Sequence, residues 1–388
     1  MSVACARNRW PFLEGAPALR HQCLAPFHFL CNQGLSFAHG TGFLYGVMRR
    51  NFLNFHFAIS PAWLIVIIPA LMLAGCATIK LEPPPPEGVQ ISSQPGRMIV
   101  TIAGQPFTEY HFLNTPKPFL YPLIGPNGAG LTRNFPMASP EGEEHDHPHH
   151  RSLWFGHGLV NGVDFWTENS NAGRIEHDRF TAIRGGPEKG IIRSRNKWIA
   201  PGGKVVCTDE RSMIFSNAGT NARVMDFEIT IHADHGEVVF GDTKEGTMGV
   251  RVAETMRLTQ PTGGMNPESH IINSEGARDT EAWGKRAKWC DYSGLVNGKI
   301  GGIAIFDHPQ NPRFPTWWMA RDYGLLTANP FGQHEFEKLS NENVGDLKIP
   351  AGQSVTFRYR FYLHTGTADE SQVAERFEEF AAEAKESR

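Results

Sequence analysis

Histidine crowds one short stretch of this chain. His145, His147, His149 and His150 fall within His145-Asp146-His147-Pro148-His149-His150, Arg151 follows, and His157 lies inside Trp154-Phe155-Gly156-His157-Gly158. Gly and Pro punctuate the surrounding run from Tyr121 to Glu168, which predicts loop. A long loop dense in His, Asp and Trp within a compact domain is a place for a site. On an extended segment alternate residues project to one side, which would bring His145, His147 and His149 together. Three chemistries use such residues. A metal site would take two or three imidazoles with Asp146, Asp164 or a distant carboxylate. An acid/base site would set one imidazole against a carboxylate. A binding site would use imidazoles, Arg151 and the Trp154 face to hold a polar ring ligand. A solvated loop whose histidines bond local carbonyls is the plain alternative.

Further candidates lie downstream. Gly241-Asp242-Thr243-Lys244-Glu245-Gly246 reads as a tight turn between strands, with Arg251 six residues past Glu245. An extended chain would point Lys244 and Glu245 to different sides, and a carboxylate near Arg251 would stay ionised. Trp283, Trp289 and Tyr292 bracket the basic run Lys285-Arg286-Ala287-Lys288, with Asp291 as a carboxylate neighbour. Asp307-His308 closes a strand, where Asp307 would orient the His308 ring. Arg321-Asp322-Tyr323-Gly324 and Asn329-Pro330-Phe331-Gly332 read as more loops around the same pocket. There is no G-x-S-x-G, and neither Cys207 nor Cys290 sits in a nucleophile motif. The expected site therefore has His149, His150, Glu245 and His308 as catalytic groups. His147, Arg151, Trp154, His157, Lys244, Arg251, Trp289, Asp291, Asp307 and Asn329 would contact substrate. No cofactor is called for in that reading. The alternative is a divalent transition metal on His147, His149 and His308.

Strands must position these groups. Arg223–His232 alternates, with Met225, Phe227, Ile229 and Ile231 on one face. Ser354–His364 repeats this, with Val355, Phe357, Tyr359, Phe361 and Leu363 inward. Period two over this length predicts half-buried antiparallel strands. Further strands are expected at 98–103, 107–112, 174–183, 190–199, 205–215, 236–241, 247–252 and 300–306. No βαβ alternation or P-loop glycine pattern occurs, so the fold class is mainly β, a large antiparallel β-sandwich. One helix is expected at 368–386, opened by the Thr367…Glu370 capping box, with Val373, Phe377 and Phe380 on one face.

The net charge of −3, with 20% charged and 40% hydrophobic residues, excludes a disordered or nucleic-acid-binding chain. The six cysteines form no CxxC pair. Residues 1–47 read as an extension ahead of the true start. Residues 48–75 read as a signal peptide that opens on Met48-Arg49-Arg50 and ends in Leu73-Ala74-Gly75 before Cys76. That ending resembles a bacterial lipoprotein lipobox, which implies lipidation of Cys76, anchorage in the cell envelope and sorting to the outer membrane. Residues 76–95 form a Pro-rich tether, and 96–388 one folded domain. Cys207 and Cys290 would then be the remaining thiols, and export permits them to pair.

His147 through Trp166 resembles the PmoA-like family of exported bacterial proteins. So do Asp242-Thr243-Lys244-Glu245-Gly246, Trp289-Cys290-Asp291-Tyr292-Ser293-Gly294, Asp307-His308-Pro309 and Asn329-Pro330-Phe331-Gly332. The resemblance covers about residues 97 to 365. The architecture is similar, at fold level, to the galactose-mutarotase supersandwich. That likeness implies a carbohydrate on the concave face of a large sheet and proton transfer between His and Glu or Asp. The expectation is an exported lipoprotein with a carbohydrate or other small polar ligand, acting as an epimerase, lyase or hydrolase. A non-catalytic glycan-binding lipoprotein is the other reading.

Overall fold

The computed structural model describes residues 87–386. The extension, the signal peptide, Cys76 and the tether up to residue 86 lie outside the described residues.

In chain order the strands are β1 (Val89–Gln94), β2 (Arg97–Ile102), β3 (Gln105–His111), β4 (Phe119–Leu120), β5 (Leu153–His157), β6 (Arg174–Arg184), β7 (Lys189–Ile199), β8 (Val205–Ser216) and β9 (Ala222–His232). They continue with β10 (Val238–Phe240), β11 (Gly246–Arg251), β12 (His270–Asn273), β13 (Trp289–Val296), β14 (Lys299–Asp307), β15 (Trp317–Ala320), β16 (Leu325–Asn329), β17 (Leu347–Ile349) and β18 (Ser354–Thr365). Two α-helices are described, α1 (Gln333–Glu337) and α2 (Val373–Glu386).

Sixteen of these strands build two eight-stranded sheets, β10 and β17 pair separately, and every pairing is antiparallel. The first runs β1-β2-β3-β4-β5-β11-β16-β15 and the second β12-β13-β14-β18-β9-β8-β7-β6. The fold is the β-sandwich that the alternating segments predict. Met225, Phe227, Ile229 and Ile231 from β9 meet Phe357, Tyr359, Phe361 and Leu363 from β18 in the core. The first sheet contributes Leu120, Leu153, Phe155, Met248, Val250, Leu326 and Ala328 to the same core. Burying side chains of this size stabilises each by about 1.5–3 kcal/mol, which is why the alternation fixes the register.

The face of the second sheet turned away from the core is covered by α2. Val373, Phe377 and Phe380 pack on Ala304, Phe306 and Tyr362. The capping box forms as expected, with Glu370 N donating to Thr367 Oγ1 at 3.3 Å and Thr367 N donating to Glu370 Oε2 at 2.8 Å. It caps a turn, however, and the helix itself starts at Val373 because Gln372 adopts a left-handed φ of 53°.

Three expectations need correction. β1 pairs with β2 throughout its length, so the sheet already begins within the stretch read as tether. Leu153–His157, read as loop, is the fully buried strand β5, whose lack of polar alternation hid it. Cys207 and Cys290 are free and buried. They lie on β8 and β13, with β9, β18 and β14 between them. Four inter-strand spacings put them roughly 19 Å apart, far beyond disulfide reach.

Candidate functional site

The site grows from the face of the first sheet turned away from the core. Cross-strand pairing sets His111, Phe119, Trp154, Gly249, Thr327 and Met319 in one row over six strands. Phe119, Trp154, Trp166, Trp317, Met319, Leu325 and Phe336 form a hydrophobic layer on this face, separate from the core. Gly249 is the flat point that lets the layer close. A Cβ there would meet Trp154 Cζ2 at 3.2 Å and both Thr327 Cγ2 and Trp166 Cη2 at 3.3 Å.

The histidine loop lies on this layer, and it is not extended. His147 adopts φ 41°, and His150 N donates to His147 O at 3.0 Å. The turn breaks the expected alternation. His145 leaves the group to stack on Phe135, with ring centroids 4.4 Å apart. His147 and His150 become parallel neighbours at 4.7 Å. Tyr323 stacks on His147 at 5.1 Å, and Trp154 stacks on His150 at 5.2 Å. The result is a cluster of near-parallel rings in which Tyr323 lies 6.4 Å from His150 as well, with Trp154 against His150 and His149 edge-on to it at 4.4 Å.

Two ionic clusters hold these rings. Asp146 accepts from Arg251 Nη2 at 3.0 Å, pairs with Arg133 Nη1, and bonds His147 Nδ1 at 2.6 Å. Burial pushes the Asp146 carboxyl up, but the His147 hydrogen bond and the Arg251 and Arg133 charges outweigh it and hold the group well below the usual carboxylate range. Arg251 also donates through Nη1 to His150 Nδ1 at 3.2 Å, and its guanidinium lies 4.8 Å from the Tyr323 ring centroid. The second cluster is Glu168, which takes Arg151 bidentately at 2.7–3.0 Å and Lys117 at 3.0 Å. Burial lowers the Lys117 ammonium against the pull of Glu168.

His149 differs from its neighbours. Its ring makes no hydrogen bond to a described residue, and it sits 6.3 Å from Trp166. Burial, with the Lys117 charge, brings it down to about 4, so it is neutral at pH 7. His150 is held well below its ordinary value by burial, then by His149 and Arg251. Tyr323 is half-buried, and its hydroxyl has no partner among the described residues. Burial raises it, against Arg321 and Arg251. Arg321 lies over Trp283 at 5.2 Å. Glu245, with its side chain 39% exposed, stands near Lys244 at 3.7 Å and close enough to act on Tyr323.

A model of the family of unknown function DUF6807 matches residues 97–378. The chain belongs to the DUF6807 family. The matched residues include the histidine loop and the Asp242, Trp289, Asp307 and Asn329 motifs. No curated protein matches the chain in sequence. Among solved structures, the chain is similar to HI1317, with 9% identity and a TM-score of 0.29 over 71% of this chain and 99% of that one. It is also similar to an α-galactosidase from Lactobacillus brevis, with 7% identity and a TM-score of 0.28 over 72% of this chain and 39% of that one.

In this DUF6807 protein the fold gathers His147, His149, His150, Arg151, Trp154 and Arg251, with Glu245 at the rim. Trp154 is only 1% exposed beneath His150, so it is a floor and offers no free face for a ring ligand. His157 is fully buried against Phe240 and Phe331, and its Nε2–H donates to Gly241 O at 2.8 Å. Lys244 is spent on Glu335 at 2.7 Å. Asn329 shares the site's face but spends both amide ends within the fold. Its Nδ2 donates to Thr243 O and Lys244 O at 2.9 Å, and its Oδ1 accepts from Phe331 N at 2.9 Å. Glu245 does not pair with Arg251, which turns to Asp146 instead.

Four expected residues belong to the second sheet. Trp289 packs in the α2 cluster. Asp291 bonds His364 Nε2 at 2.8 Å, with both side chains fully buried. Asp307 accepts from Asn311 Nδ2 at 2.7 Å and Thr316 N at 2.9 Å, and burial pushes its carboxyl up to about 7. His308 lies against Phe380 at 5.3 Å. The proposed metal set of His147, His149 and His308 is therefore divided between the two outer faces of the sandwich. Among the described residues no group of three or more His, Cys, Asp or Glu is placed to hold a metal. Lys117, Arg133 and Glu168 escaped sequence reading because each is an isolated charge whose burial alone gives it a role. Tyr323 and Trp166 stood in segments already singled out, and only the stacking shows what they do.

Proposed function

We propose that the outer face of the first sheet binds a carbohydrate and acts on it by proton transfer, with His149 as the acceptor. The observation that carries this is His149 itself. It is a neutral imidazole, with neither nitrogen bonded to a described residue, held over an aromatic layer beside buried charges. A neutral imidazole takes a proton or accepts a hydrogen bond from a sugar hydroxyl. The Tyr323 hydroxyl, on a ring beside His147, supplies a proton, and Glu245 offers an acceptor at the rim. Reaction types open to such a pair are epimerisation, elimination and hydrolysis. We also propose that the protein is exported and anchored through lipidated Cys76, on the strength of the lipobox-like sequence.

The test is product analysis by proton NMR after incubating the full-length protein with neutral and acidic sugars and their glycosides. His149→Ala and Tyr323→Phe should each reduce turnover at least about a hundredfold, the low end for a general acid or base. Retained turnover in His149→Ala would overturn the assignment. Sugar binding without turnover in the wild type would favour the glycan-binding reading.

A further inference from the structure

Arg321 follows β15 on the face that carries the site, and its charge is not spent inside the fold. Among the described residues no carboxylate lies within ion-pair distance of it, and it makes no hydrogen bond through its guanidinium. Its Nε is buried without a partner. The arginines that hold the histidine loop are matched: Arg133 and Arg251 share Asp146, and Arg151 takes Glu168 bidentately. The Arg321 guanidinium lies over the Trp283 ring at 5.2 Å, and the Trp283 indole N–H is also buried without a partner. Trp154 Nε1, Trp166 Nε1 and Arg251 Nε on the same face are buried without a partner too, but of these groups Arg321 alone joins such a donor to a charge with no carboxylate beside it. Arg321 is also the strongest charge acting on Tyr323, which stacks on His147 beside His149.

We infer that the ligand carries a carboxylate, as a uronic acid or another sugar acid does, and that Arg321 receives it on the Trp283 platform. The inference rests on the carbohydrate reading above and narrows it. A guanidinium is a planar fork of donors that matches the two oxygens of a carboxylate, and stacking on an indole fixes its plane in advance. Neutral His149 and the Tyr323 hydroxyl then face the sugar ring while the acid group is held at Arg321.

The experiment is isothermal titration of the full-length protein with D-glucuronate, D-galacturonate, their methyl esters, glucose and glucose 6-phosphate. A uronate should bind at least about tenfold more tightly than its methyl ester, the scale of one charge-assisted bidentate contact. Arg321→Gln should remove that preference. Arg321→Lys should keep part of it, because charge remains while the fork is lost. Raising the salt concentration should weaken uronate binding in the wild type and not in Arg321→Gln. Thermal midpoints of the variants confirm that each is folded. Equal affinity for uronate and ester overturns the carboxylate inference and leaves the carbohydrate reading standing. Tighter binding of glucose 6-phosphate than of either uronate overturns it in favour of a phosphate. No binding of any sugar overturns both readings.

Discussion

Arg251 donates through Nη1 to Nδ1 of His150 at 3.2 Å, although the two are 101 residues apart in the chain. Arginine has no acceptor, so this contact settles the His150 tautomer: Nδ1 carries the lone pair and Nε2 the proton. Burial beside Arg251 and His149 then keeps the ring neutral. The expected outcome in nitrogen-detected NMR at pH 7 is a neutral His150 protonated at Nε2. A ring protonated at Nδ1, or at both nitrogens, would contradict the geometry.

The same arginine joins the strand to the loop. It is fully buried, bonds Asp146 at 3.0 Å, and lies under the Tyr323 ring. Arg251→Met should leave Asp146 with Arg133 and free His150 Nδ1. Breaking a wholly buried ion pair costs about 3–5 kcal/mol. Asp146 is partly exposed and keeps Arg133 and His147 as partners, so the expected loss is about 2 kcal/mol. The check is the shift in urea midpoint at constant denaturant slope.

The sandwich was legible in the sequence because β9 and β18 alternate over their full length, and only burial on one face produces that pattern. β5 was not legible, since its five residues are all buried and both faces are packed. The site was legible in part. The density of histidine marked the loop, but the left-handed turn at His147 decides which rings meet, and no residue type announces it. Asp307-His308 looked like a catalytic dyad in one dimension. The alternation that ends β14 instead turns His308 toward α2, while Asp307 anchors the segment leading to β15. Residues that look alike in a motif were parted by the two faces of one sheet.

Stability should fall on mild acidification. His149 and His157 have folded values of about 4, and His150 is also depressed, all chiefly by burial. The unfolded chain takes protons on these groups near its ordinary value of 6.5. Their contribution is therefore present above pH 6.5 and is lost as pH falls toward 4. Asp307 acts the other way. Its folded value of about 7 lies above the unfolded 3.8, so its contribution is present below pH 3.8 and lost as pH rises to 7. These three imidazoles outweigh the one carboxyl, and the depressed His111, His177 and His308 act in the same direction, so the net is a fall on the acid side, each group contributing at most about 1.4 kcal/mol per pH unit. Urea midpoints measured from pH 7 to pH 4 check the sign. His157→Gln keeps a donor for Gly241 O and should flatten the slope by about 1.4 kcal/mol per pH unit at most.

Gly249 links the sheet to the chemistry. A first added carbon already lies 3.2–3.3 Å from Trp154, Thr327 and Trp166, closer than ordinary contact. Valine adds two more carbons on a stiff β-branched side chain that cannot turn away from all three neighbours. Overpacking of this kind costs about 1–3 kcal/mol. Trp166 comes from a loop and can yield, whereas Trp154 and Thr327 are held in paired strands. Gly249→Val should therefore displace Trp166 and, with it, the ring of His149 that lies 6.3 Å away. The expected result is a changed near-ultraviolet circular dichroism signal from tryptophan, a preserved far-ultraviolet β signal, and loss of any sugar binding at His149. Gly249→Ala should show a smaller change in the same direction. An unchanged tryptophan signal in Gly249→Val would mean that the layer tolerates the extra volume and that His149 is not positioned through Trp166.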